Sequence, residues 1–293
     1  MTKKISFQQQ QVMDWLVDLQ TRIIQAMEVL EKTADKNNIG FQKKSWQRKN
    51  PDGSDGGGGT MAIIYGKVME KMAVNISTVD GFFKDDFKTK IPGTNERGDF
   101  WASGISLVAH PCNPYVPAIH FNTRLLITGH WWFGGGIDLN PALDDGDEAK
   151  NFHYQLQTLC DRHDKNFYAK YKKWCDEYFY IKHRGHARGV GGIFFDQLSG
   201  VIENNGVLAK DDFEKYFAFI KSIGEFFLSY YPDVVSKKMH QNFSHSERDK
   251  QLIYRGRYAE FNLLYDRGTK FGLETDGNAD AILMSLPPLA KWQ

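Results

Sequence analysis

The chain has 293 residues, 41% hydrophobic and 25% charged, a composition that excludes a mostly disordered protein. Lys and Arg number 37 against 36 Asp and Glu, and a formal charge of +1 argues against a general nucleic-acid binder. Aromatic residues reach 14%; core packing accounts for most of them, and the surplus fits a site for a bulky apolar ligand.

The first residues form no apolar signal core, and no stretch approaches the roughly 18 apolar residues of a membrane span, so a soluble cytoplasmic protein is expected. Val12, Leu16, Leu19, Ile23, Met27 and Leu30 recur at intervals of three and four, predicting a helix over 12–30 with one face on the core. Asn50 to Asp55, followed by Gly56 to Gly59, read as a flexible connection. Thr60 follows the glycines directly with no Lys-Ser/Thr, so a phosphate loop is excluded, and a mobile loop beside a site is the functional expectation. Short β-rich runs come next: Met61–Tyr65, Val68–Ile76, Ile105–His110 and Ile119–Thr128. Trp131-Trp132-Phe133 leads into Gly134 to Gly136, read as a turn that releases Asp138 beside an aromatic wall. Helical patterns return over 147–162, 165–182 and 211–230, and Tyr258–Leu264 and Ala281–Leu286 read as late strands. Strands adjacent in sequence, with helices added, predict an α+β fold: an antiparallel sheet with helices, in a single domain spanning 1–293 whose first 40 residues form a helical segment packed on it.

Three groups of residues can carry chemistry. His120, Asn122 and Arg124 alternate with Phe121, Thr123 and Leu125, so a strand puts imidazole, amide and guanidinium on one face. An Arg there needs an anionic partner, either a structural carboxylate or a substrate carboxylate. Ser106 and His110 alternate in the same way on the preceding run. Asp138 is either a cap or an acceptor aimed into a cavity. Basic and aromatic residues interleave from Tyr171 through His183, Arg184 and Arg188, which suggests a local anion site. Gly189-x-Gly191-Gly192 lacks the spacing and setting of a dinucleotide fingerprint, so NAD and FAD are rejected. His110, His120, His153 and His183 show no metal-ligand spacing and read as catalytic or structural imidazoles. Cys112, Cys160 and Cys175 are sparse and unpaired in pattern, as in a reducing compartment.

Taken together, several long motifs resemble the oxygen-dependent coproporphyrinogen-III oxidases. They are Gly57-Gly58-Gly59 with Glu70-Lys71-x-x-Val74-Asn75-x-Ser77, then Gly104-Ile-Ser106-Leu-Val-x-His110-Pro-x-Asn113, then His120-x-Asn122-x-Arg124 and Trp131-Trp-Phe-Gly-Gly-Gly-x-Asp138-Leu. Tyr171-Lys-Lys-Trp-Cys-Asp-Glu-Tyr-Phe179, His183-Arg-x-x-x-Arg188-Gly-x-Gly-Gly-x-Phe-Phe-Asp196 and Arg255-Gly-Arg-Tyr-x-Glu-Phe-Asn-Leu-x-Tyr-Asp-Arg-Gly-Thr269 continue the match in the same order.

The resemblance implies a large antiparallel sheet covered by helices on both faces, a homodimer, and a step of haem biosynthesis. That step is the oxidative decarboxylation of two propionates of coproporphyrinogen III to vinyls, giving protoporphyrinogen IX with O₂ as co-substrate and no organic cofactor. It places a catalytic proton donor at His120 and a pyrrole-facing carboxylate at Asp138. Substrate contacts fall on Ser106, Asn122, Thr123 and Arg124, and on Asp276, Gly277 and Asn278 after Thr275. Arg124 and Arg188 become candidate propionate partners. A divalent metal on His110, His120, His153 and His183 is a further implication. The chain departs from the family pattern at Asp276 and Asn278, where Gly and Arg are usual, so one cation that can meet a propionate is missing. A cofactor-independent oxidase, a metal-dependent one and a non-catalytic tetrapyrrole-binding protein are the competing readings.

Overall fold

The structure is a computed structural model that describes residues 5–83, 88, 91–200, 208–274 and 278–292. It opens with helix α1 (Phe7–Ala34), started by a capping box in which Ser6 and Gln9 bond each other's backbone N–H groups. The helix therefore begins before the apolar stripe does, and Val12, Leu16, Leu19, Ile23 and Met27 are at most 2% exposed. Strands β1 (Gln42–Lys49), β2 (Asp55–Ile64), β3 (Met69–Phe82), β4 (Asp99–Pro111), β5 (Ala118–Ile127) and β6 (Trp131–Asn140) follow. Helices α2 (Gly146–Asp161) and α3 (Phe167–Tyr178), the short strands β7 (Tyr180–Ile181) and β8 (His186–Ala187), and strand β9 (Gly191–Leu198) come next. Helices α4 (Lys210–Lys238), α5 (His245–Leu264), α6 (Arg267–Glu274) and α7 (Ala279–Ile282) end the order, with a 3-10 turn at Leu283–Ser285.

Seven strands pair in the order β1-β2-β3-β4-β5-β6-β9, every neighbour antiparallel. One face carries the main core, to which α1, α2 and α4 bring Leu19, Phe152, Phe213 and Phe227, and α3 lies along β9. The other face meets α5 through Tyr258 against His110, and the turn after α7 through Met284 against Met61 and Ala73. The expected α+β sheet with helices on both faces is what forms.

Three local expectations are corrected. Gly56 to Gly59 are not a mobile loop: they lie in β2, where Gly58 faces Gln47 and Thr78 in register, and the connection is a tight turn from Asn50 to Ser54. A glycine run has no side-chain alternation, so its strand could not be seen in the pattern. Gly134 to Gly136 are likewise not a turn but the middle of β6, a strand whose ten residues are all buried. The late strands are helical. Tyr258–Leu264 belongs to α5, set by the Ser244–Glu247 capping box, with Arg255, Tyr258, Phe261 and Asn262 buried at helical spacing. Ala281–Leu286 forms the end of α7 and the 3-10 turn, with Asn278 as cap.

Glu31 pins α1 to the sheet. Its side chain, fully buried, accepts from the backbone N–H groups of Lys67, Val68 and Met69 at 2.9, 3.2 and 2.6 Å. Glu31→Ala leaves those donors dry and is expected to cost about 2–4 kcal/mol, read as a lower urea midpoint at unchanged m. A loss below about 0.5 kcal/mol would show that the three bonds contribute nothing net.

Candidate active site

The site stands on the sheet face opposite the main core. On β5 the odd residues Ile119, Phe121 and Leu125 are fully buried in that core, which leaves His120, Asn122 and Arg124 on the other face. The register then supplies their neighbours: His120 lies opposite Asp138, Asn122 opposite Gly136, and Arg124 opposite Gly134. Ser106 lies opposite Asn122 from the β4 side. Gly134 is needed as glycine, because a Cβ there would stand 2.5 Å from Asp196 Oδ1 and 3.0 Å from Arg124 Nη2. Its bareness lets the Arg124–Asp196 pair cross β6, at 3.1 Å.

Asp138 is the centre of a closed network. Its Oδ1 accepts from His120 Nδ1 at 2.7 Å and from Arg188 Nη2 at 2.9 Å; its Oδ2 accepts from Arg188 Nη2 at 2.7 Å and from Asn140 Nδ2 at 2.8 Å. Burial pulls the Asp138 carboxyl upward, but the Arg188 guanidinium and the His120 hydrogen bond outweigh it and hold the group at about 2. Arg188 is equally buried, donates to Asn262 Oδ1 at 3.1 Å, and lies 3.9, 4.5 and 4.8 Å from the ring centroids of Phe179, Tyr258 and Phe261. Burial disfavours its charge, yet Asp138 keeps its pKa raised. On the outer side, His120 Nε2 accepts from Asn122 Nδ2 at 3.0 Å. Nδ1 is thus the ring nitrogen that faces the carboxylate, and Nε2 the one that faces the open side.

Several sequence expectations change here. Asp138 is 1% exposed with both oxygens engaged, so it is turned toward His120 and Arg188 and not toward an open face. Arg188 is committed to Asp138 and Asn262, and Arg124 is the guanidinium left half-open, its side chain 38% exposed. Thr123 points into the core, its hydroxyl donating to the Gly134 carbonyl, because period 2 sends it to the opposite face from its neighbours. Trp131 and Phe133 also face the core, packed on Phe213, so neither is a wall of the site. The 171–192 cluster is not an open anion site: Lys172 pairs with Asp176, Lys173 with Glu177, and Arg184 with Glu260. Asn278 caps α7 by accepting from Ala281 N, while Asp276 and Gly277 lie outside the described residues.

The four histidines do not fit a shared metal. His120 is engaged as above. His153 bonds the Val190 carbonyl at 2.9 Å and Tyr168 at 3.0 Å, and His183 bonds Tyr265 and Glu260, both at 2.7 Å. His110 donates from Nε2 to the Ser285 carbonyl at 2.8 Å. Among the described residues no three His, Cys, Asp or Glu side chains gather as a metal-ligand set.

His110 has a role in stability. Burial pushes its imidazole from 6.5 to about 3, so the unfolded chain binds the extra proton between those values. Stability is therefore full above pH 6.5 and falls as pH drops through that window, by an amount on the order of a few kcal/mol. His110→Gln is expected to show a smaller fall in urea midpoint between pH 7 and 4.5 than the parent chain. Equal falls in the two proteins would assign the acid lability elsewhere.

Asn140, Asp196 and the aromatic box around Arg188 were not foreseen. Asn140 was hidden because its partner is a side chain two residues back on the same strand. Asp196 carries a signal only once β9 is seen to lie beside β6.

A buried imidazole–carboxylate–guanidinium chain that surfaces next to a half-open Arg is an arrangement, on an α+β frame, suited chemically to moving a proton beside an anion. The chain belongs to the coproporphyrinogen III oxidase family: the model described as "Coproporphyrinogen III oxidase" matches residues 11–293. It is 52% identical over 252 residues to a protein of Rickettsia bellii strain RML369-C, covering 86% of this chain and 85% of that one. A protein of Rickettsia rickettsii strain Sheila Smith is 48% identical over 282 residues, 95% of this chain and 96% of that one. Both relatives are named oxygen-dependent coproporphyrinogen-III oxidase. Among solved structures, a phytochromobilin synthase from tomato in complex with biliverdin is similar at 12% identity and a TM-score of 0.49, over 91% of this chain and 84% of that one, a distance that carries no functional argument.

Proposed function

We propose that this chain oxidatively decarboxylates two propionates of coproporphyrinogen III to vinyl groups, giving protoporphyrinogen IX in haem biosynthesis with O₂ as co-substrate. Family membership supports the reaction, and one observation carries the assignment of residues: the Arg188–Asp138–His120–Asn122 chain ends beside Arg124 on the same sheet face.

Starting from the carboxylate, each propionate loses CO₂ and a hydride equivalent from the carbon next to the pyrrole. O₂ accepts that hydride and, with one proton, leaves as hydrogen peroxide. Arg124 fits the carboxylate that must be held, because it is half-open and, among the described residues, ion-paired with Asp196 alone. His120 moves the proton, and the ionised Asp138 fixes its tautomer and ring plane.

Residues 1–293 act in this reading as one domain, since α1 shares the core of the sheet. The half-exposed Leu263, Leu264, Leu289 and Trp292 supply apolar surface on and beside α5 for the second copy of a homodimer, which sedimentation tests. The free cysteines are consistent with the cytoplasm, and no helix among the described residues is long and apolar enough to cross a membrane.

The test uses untagged protein treated with a chelator and assayed with coproporphyrinogen III in air and under nitrogen. Protoporphyrinogen and CO₂ are expected in air only. Conversion under nitrogen, or binding without conversion in air, would overturn the proposal; the latter is the behaviour of a non-catalytic tetrapyrrole carrier.

A further inference from the structure

The register partners of Arg124 are both glycine, Gly104 on β4 and Gly134 on β6. Neither neighbouring strand therefore offers a side chain in that row to steady the guanidinium. Asp196 does so from β9, one strand further on, at 3.1 Å across bare Gly134. Among the described residues the contact is a charge pair, and Arg124 makes no aligned hydrogen bond. The five N–H donors of its fork are therefore unspent. Both side chains are reachable from outside, Arg124 at 38% and Asp196 at 25% exposed.

A break in the sheet holds Asp196 in place. Gly135 pairs with Phe195 and Phe133 with Leu198, so Asp196 and Gln197 together face Gly134. This two-against-one bulge lets Phe195 and Leu198 both enter the main core and leaves Asp196 on the site face. Gln197 takes a φ of 57°, the one left-handed non-glycine residue among those described. Its N–H donates to Asp196 Oδ1 at 3.0 Å. Strained backbone kept beside a reactive site points to a use. Here the bulge fixes the carboxylate, and the long side chain of Arg124 is the member of the pair that can move.

The reaction asks for such a pair. The substrate carries several carboxylates and loses two, while His120 is the imidazole at the open side of this face. The macrocycle must turn between the two decarboxylations, so Arg124 has to release one carboxylate and take another. A guanidinium with no other partner would hold the departing group.

We propose that Asp196 is a positioning residue acting through Arg124: the resident counter-ion that a substrate carboxylate displaces, and that takes the guanidinium back while the macrocycle turns. The proposal rests on the oxidase reading above and adds how the tetrapyrrole is let go between its two reactions.

The experiment measures binding of coproporphyrinogen III under nitrogen, where turnover is stopped, to parent protein, Asp196→Asn, Arg124→Gln and the double variant. Asparagine keeps an oxygen for the Gln197 N–H and removes the competing charge. Asp196→Asn is expected to lower Kd about two- to fivefold, as suits a half-exposed ion pair, and by less at high salt. In the Arg124→Gln background the same change is expected to leave Kd unaltered, which a long-range charge effect or a purely structural role would not do. In air, Asp196→Asn is expected to accumulate the intermediate with one vinyl and three propionates. A Kd that is unchanged or raised, an equal effect without Arg124, or no added intermediate overturns the proposal. Asp196→Ser repeats the comparison should the asparagine variant melt early. Parent protein that binds the substrate but converts none in air overturns the oxidase reading instead, and the binding cycle under nitrogen still decides the counter-ion role.

Discussion

Asp138→Asn is expected to abolish most turnover and also to weaken the fold. Among the described residues the carboxylate is the counter-charge in direct contact with a guanidinium as deeply buried as itself, at 2.7 Å. Removing one partner of such a pair leaves the other charge dry, which costs about 3–5 kcal/mol. Turnover falls by about 10²–10⁴ through loss of the group that orients the general acid–base imidazole. The two effects separate in a double variant. Asp138→Asn with Arg188→Met removes the stranded charge, so the urea midpoint recovers most of the loss while turnover stays low. If the double variant regains activity along with stability, Asp138 is a scaffold and has no part in the chemistry.

His120→Gln is expected to do the reverse, leaving the fold nearly untouched while kcat falls about 10²–10⁴-fold. The imidazole is the outermost member of the buried chain, with 13% of its side chain exposed, and Asp138 keeps Arg188 and Asn140 without it. Glutamine still donates toward Asp138 but cannot carry a proton. KM changes little, because the half-open Arg124 remains. Single-turnover rates beside urea midpoints check this. Activity within tenfold of the parent would remove His120 from the proton path.

Much of this site could be read from the sequence, and the parts that could not have common physical causes. Period 2 on Ile119–Thr128 was enough to set His120, Asn122 and Arg124 on one face, since the alternating residues were strongly apolar. The same period sends Thr123 to the core face, against the substrate contact that the family resemblance implies for it. The glycine segments of β2 and β6 failed as strands because glycine carries no pattern; only their paired neighbours reveal them. The Asp138–Arg188 pair was out of reach because it spans 50 residues of chain and depends on β9 docking against β6. Arg188 read as an open cation for the same reason. The Tyr258–Leu264 run looked strand-like by composition, and the cap that makes it helical sits at Ser244, well upstream.

The half-open groups of the site stand on consecutive paired strands, and that fixes how such a protein can change over generations. Point substitutions at Ser106, Asn122 or Arg124 alter one contact at a time, so lineages can drift there gradually. A one-residue insertion inside β5 is different in kind: it would swing Ile119, Phe121 and Leu125 toward the site face and bury the imidazole and guanidinium in hydrocarbon. Length variation in descendants of this chain should therefore accumulate in the connections between strands and be missing from the strands themselves.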